Sequence, residues 1–148
     1  MVLRRDKQGD GFLHLPVIVD NAESSPSAAA LATTILRRNL ADSKNNSRTF
    51  VLYNSIMLLR ILSQNPGETF TRGTSEPKFV AAVKGVLKST RDPTVMQLLY
   101  ETLEHFSTDE ARMQDPGLSA LREMWAAEKE KDKKKLARVG SVRPNTPH

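Results

Sequence analysis

The stretch Phe50-Val51-Leu52-Tyr53-Asn54-Ser55-Ile56-Met57-Leu58-Leu59-Arg60-Ile61-Leu62 decides the fold class. Only Asn54, Ser55 and Arg60 interrupt its apolar run. At helical spacing, Phe50, Asn54, Met57, Leu58 and Ile61 share one face, and Leu52, Ile56, Leu59 and Leu62 share another. A helix apolar on most sides is expected to be surrounded by other elements. A short strand can also be apolar on both faces. Here, however, the pattern continues helically to Gln64 and stops at Asn65-Pro66-Gly67, a C-terminal stop signal. The run is too short and too interrupted to cross a bilayer, which takes roughly 20 apolar residues. It reads as the central helix, from about Ser47 to Gln64, of an all-α domain.

Working outward, Ser24-Ser25-Pro26 sets a helix start, with Ser25 as N-cap and Pro26 in the first turn. That helix, Pro26 to Leu40, places Ala29, Ala32, Leu36 and Leu40 on one side, with Leu31 and Ile35 alongside. A polar loop, Ala41 to Arg48, links it to the central helix. Further upstream, Phe12 to Ala22 is a short apolar segment in which Pro16 fits only a first turn. A helix from His14 or Leu15 is expected there, with a strand as the alternative. Met1 to Gly11 is polar and reads as a leader.

Downstream, Glu68 to Thr71 forms a short turn with Phe70 inward. Glu76 to Ser89 reads as a helix with Phe79, Val80, Val83, Val86 and Leu87 on its inner face and Lys78, Lys84 and Lys88 opposite. Asp92-Pro93 opens the next, in which Val95, Leu98, Leu99, Leu103 and Phe106 keep the helical period. Asp115-Pro116 opens the last, with Leu118, Leu121, Met124 and Trp125 as its inner stripe. From Glu128 to Lys135 the chain is charged all round, able to extend a helix but not to pack. Leu136 to His148 reads as disordered. The domain is thus expected over residues 12–128, in about six helices joined by short links.

Composition narrows the chemistry. The chain has 148 residues, a formal charge of +5 and no cysteine, which excludes disulfides and thiolate metal sites. A signal peptide is not expected, because Met1 to Asp10 carries charge and no apolar core. The basic excess sits largely in Lys129 to Arg143, where Glu128, Glu130 and Asp132 are interleaved, a pattern typical of a solvated helix end. That tail could still meet anionic lipid, while the lack of interleaved aromatics gives no support for nucleic acid. His14, His105 and His148 lack metal-ligand spacing, and His105 reads as a solvated or dipole-stabilised side chain. Asp92 and Asp115 are explained as N-caps. No phosphate loop or nucleophile elbow is present. A binding module without metal or cofactor, not an enzyme, is expected. Ser141 and Thr146 stand in short kinase-like contexts.

In five segments taken in order, the chain resembles the VHS domains. Phe50 to Gly67 is similar to that family's central helix and the turn after it, with Phe70 as the inward aromatic. Val17 to Ala22 with Pro26 to Leu40 is similar to the pair before it. Phe79 to Leu87, Val95 to Phe106 and Leu118 to Trp125 resemble the helices that follow. The resemblance implies a right-handed superhelix of about six to eight helices of the VHS/ENTH type, its first helix missing or reduced because Met1 to Gly11 has no apolar face. It implies a cytoplasmic adaptor, peripheral on endosomal or Golgi membranes, in vesicle traffic. Ubiquitin would sit on Phe12 and Pro16, the second a poor replacement for the family's apolar residue. An acidic sorting-signal peptide would lie between the Glu76–Ser89 and Pro116–Ala127 helices, lined by Val80, Val83, Leu121 and Trp125, with Lys84, Lys88 and Arg122 meeting its acids. The rival expectations are a phosphopeptide module of the kind that binds the RNA polymerase II tail, which shares the superhelix, and a structural helical domain with a lipid- or nucleic-acid-binding tail.

Overall fold

The computed structural model describes residues 25–142, with side chains to residue 137. Within that range every regular element is helical, so the all-α expectation holds for the described residues. The elements are α1 Pro26–Ala41, a 3₁₀ turn Ser43–Asn46, α2 Thr49–Gln64, α3 Glu68–Thr74, α4 Pro77–Ser89, α5 Pro93–Thr108, α6 Glu110–Met113, a second 3₁₀ turn Pro116–Leu118, and α7 Ser119–Val142.

The helix starts follow from capping chemistry. Ser25 Oγ accepts the Ala28 N–H at 3.0 Å with Pro26 in the first turn. Asp92 accepts the N–H groups of Thr94 and Val95, again beside a proline. Each cap satisfies donors that the first helical turn leaves unpaired. After α2, Gly67 takes φ 76°, a left-handed conformation that glycine adopts without a side-chain clash.

Helix α1 packs on α2, α3 and α4, α2 packs on α5, and α7 closes over α4 and α5. The core between them holds Leu52, Ile56, Leu59 and Leu62 of α2, together with Leu36, Phe70, Phe79, Val83, Leu99, Leu103, Phe106, Leu118 and Leu121. Burial of each large side chain of this kind contributes about 1.5–3 kcal/mol of transfer free energy. The central helix is enclosed on one face rather than all round. Phe50 is 54% exposed and Tyr53 is also exposed, while Met57 is only partly buried against the core. On α1, Leu31 and Ile35 are exposed too.

Short α3 is the wedge of the structure. A Cβ on Gly73 would stand 2.6 Å from the Thr33 side chain, and one on Gly117 would stand 2.5 Å from the Thr71 carbonyl oxygen. Glycine at both positions lets α1 and the Pro116–Leu118 turn approach α3 closely. The buried contact is polar. Thr71 Oγ1 donates to the Asp115 carboxylate, 2.8 Å from one oxygen and 3.0 Å from the other. Gly117 N–H donates to the same carboxylate at 2.9 Å, and the Thr74 hydroxyl bonds the Gly117 carbonyl at 3.0 Å. Asp115 therefore caps the last segment, as its place before Pro116 implies, and also ties that segment to α3.

Two segments go beyond the sequence expectation. Helix α6 lies in the stretch between Phe106 and Asp115 to which the sequence reading assigns no element, and Asp109 caps it through the Arg112 N–H. Helix α7 runs to Val142, past Leu136 where order was expected to end. Its charged part also packs at one point, since Glu128 is 8% exposed.

Candidate functional site

The corner where α4, α5 and α7 meet carries the densest charge and the aromatic pair. Trp125 stands on the inner stripe of α7 and is buried. Its indole N–H donates to Glu104 of α5 at 3.0 Å, and its ring lies 5.0 Å from that of Tyr100 at an interplanar angle of 59°. This tilted arrangement suits two aromatic quadrupoles. Lys129, one turn further on, bonds the same Glu104 oxygen and places its ammonium 5.4 Å from the Trp125 ring centre, within cation–π range. Hydrogen bonds from Lys129 and Trp125 hold the Glu104 carboxyl below the usual carboxylate range.

Beside this clamp, three lysines converge on Glu128. Lys88 lies 3.4 Å from one carboxylate oxygen; Lys131 at 3.4 Å and Lys84 at 3.7 Å reach the other. Burial pushes the Glu128 carboxyl up, but the hydrogen bonds from Lys131 and Lys88 outweigh it and hold it low. A hollow of about 310 Å³ opens here, lined by Leu87, Lys88, Tyr100, Trp125, Glu128, Asp132 and Lys135. The lysines outnumber the carboxylates, so the corner carries surplus positive charge next to the exposed Tyr100 ring. Such a surface can take an acidic group.

The structure brings some of the expected groove residues together and separates others. Lys84 and Lys88 both reach Glu128, and Lys88 and Trp125 line the hollow, whereas Val80 is half-buried against the core and does not line it. Val83 and Leu121 are core residues, 1% and 0% exposed, so neither offers a side chain to a groove. Arg122 faces elsewhere: its guanidinium donates to the carbonyls of Arg112 and Asp115, at 2.8 and 3.1 Å. It anchors the start of α7 and does not join the lysines. Phe12 and Pro16 lie outside the described residues. Missed from the sequence were Tyr100, Glu104 and Glu128. The signal for Glu128 was present, because Leu121, Trp125 and Glu128 continue one helical stripe at four- and three-residue steps.

His105, near the end of α5, is half-buried. Burial first, then the charge of Arg60, holds its imidazole below its ordinary value. The dipole-stabilised reading, which raises that value, gives way to these two effects. Among the described residues no group of three His, Asp or Glu side chains could hold a metal ion, and no helix is long and apolar enough to cross a membrane.

No protein-family model matches the chain, and no curated protein or solved structure matches it either.

Proposed function

We propose that this chain is a non-enzymatic adaptor module with a VHS-like superhelix, and that it holds acidic sorting-signal segments of partner proteins at the α4–α5–α7 corner. Its place would be the cytoplasmic side of endosomal or Golgi membranes. The observation that carries the binding mode is the convergence of Lys84, Lys88 and Lys131 on one carboxylate. That seat already receives an acid from the chain itself, so its geometry suits the side chain of a peptide glutamate or aspartate. Tyr100, 40% exposed beside it, offers apolar surface to the residues that follow the acids. The helical architecture and the resemblance of five ordered segments support the adaptor reading.

Fluorescence anisotropy with a labelled peptide of three glutamates followed by two leucines tests it. Replacing Lys84 and Lys88 by alanine should weaken binding roughly tenfold, since each exposed pair is worth about 0.2–1 kcal/mol and both are lost. Binding should also weaken as salt is raised. No binding, or binding indifferent to the two lysines, would overturn the site. A phosphorylated polymerase-tail peptide that binds more tightly at the same lysines would move the chain to that rival class. Ubiquitin binding rests on Phe12 and Pro16 and is a separate titration.

A further inference from the structure

Glu128 occupies a position where the α7 stripe calls for an apolar side chain. The residues before it on that stripe, Leu121, Met124 and Trp125, are all buried and all apolar. A carboxylate in such a place needs strong partners to offset its lost hydration. Those it has are loose. Its three lysine contacts are 3.4–3.7 Å long, against the roughly 2.7–2.9 Å of a well-formed charge-assisted hydrogen bond. The lysine side chains are 42%, 52% and 60% exposed, so water competes for every one of them. The neighbouring clamp is different in kind. Glu104 receives both the Trp125 indole N–H and Lys129, and these hold α7 against α5 without help from Glu128.

From this contrast we infer that Glu128 is a built-in competitor for the lysine seat: an incoming acidic side chain displaces it, while α7 stays docked through Glu104. This inference rests on the acidic-peptide reading of the corner and adds the regulation of that site. In the free protein the seat is filled by the chain's own acid, which rejects weak or singly charged ligands. A peptide with several adjacent acids outcompetes it by engaging Lys84, Lys88 and Lys131 together. No bond is made or broken in the exchange; one carboxylate leaves the ammonium groups as another arrives.

The test compares the same glutamate–leucine peptide on the wild-type chain, Glu128→Gln, and each of these with Lys84 and Lys88 replaced by alanine. Glutamine keeps the shape and removes the competing charge. Glu128→Gln is expected to bind roughly three- to tenfold more tightly than the wild type, and only while the lysines are present. If Glu128→Gln binds no better than wild type and the lysines still matter, the competition is refuted and the acidic-peptide site stands. If the lysines do not matter in either background, the site itself falls. A second measurement needs no variant. Carbon-detected NMR of the wild-type chain follows the Glu128 carboxyl through a pH titration, with and without saturating peptide. Release by the peptide should raise its titration, since the lysine bonds no longer oppose the effect of burial; an unchanged, depressed titration would refute the displacement.

Discussion

Gly117 and Gly85 give opposite predictions for the same substitution, and the structure supplies the sign of each. At Gly117 an added methyl would stand 2.5 Å from the Thr71 carbonyl oxygen and 2.6 Å from its carbon, both backbone atoms that cannot rotate away. The Pro116–Leu118 turn must then move off α3. Overpacking of this kind costs about 1–3 kcal/mol. The movement also strains the Gly117 N–H bond to Asp115 and the Thr74 bond to the Gly117 carbonyl, each worth about 0.5–1.5 kcal/mol net. Gly117→Ala should therefore lose roughly 2–4 kcal/mol, a large share of the 5–15 kcal/mol typical of a folded domain. At Gly85, inside α4, a new Cβ meets nothing within 4 Å. There alanine removes only the helix penalty of glycine, and a gain of about 0.5–1 kcal/mol is expected. Urea unfolding followed by far-ultraviolet circular dichroism measures both. Gly117→Ala within about 0.5 kcal/mol of wild type, the ordinary range of surface changes, would show that the α3 wedge is not close-packed. A destabilised Gly85→Ala would show that the α4 surface is covered.

The two faces of α2 separate just as cleanly: Leu59→Ala should cost about 2–5 kcal/mol, whereas Phe50→Ser should stay within about 0.5 kcal/mol, both read by the same unfolding assay. Acid should loosen the molecule in two stages. His105 has a depressed folded value, so the unfolded chain binds more protons as pH drops below about 6.5, and stability falls there; His105→Gln should flatten that limb of the curve of melting temperature against pH. Glu104 and Glu128 are also depressed, so their stabilisation is complete above about pH 4.3 and is lost as pH falls through their lower folded values; Glu104→Gln and Glu128→Gln should differ from wild type near neutrality and converge with it in strong acid.

The helices were largely legible because their signals are local. Ser25-Pro26 and Asp92-Pro93 mark starts that the structure uses, and the stripe Val95, Leu98, Leu99, Leu103 and Phe106 is buried throughout. What joins the helices was less legible. Asp115 reads as a cap in sequence, but its tie to Thr71 spans 44 residues, a distance no periodic pattern encodes. Periodicity reports which face is apolar without reporting whether a neighbour covers it, which is why Phe50 was expected inside. Glu128 was hidden in a run of alternating charge whose other described members are exposed. Arg122 and Lys84 looked equivalent as cations on inward helices, and only the turn of α7 sends the first to backbone carbonyls and leaves the second at the corner.

The tie between Thr71 and Asp115 bears on how the chain can be cut. A fragment that ends before Asp115 would leave the Thr71 hydroxyl, fully enclosed in the whole protein, without its acceptor, and would strip Leu118 and Leu121 from Phe70 and the rest of the interior. Neither half could close around its own oily surface, so proteolytic nicking between α5 and α7 should melt the body as one unit instead of releasing a surviving piece.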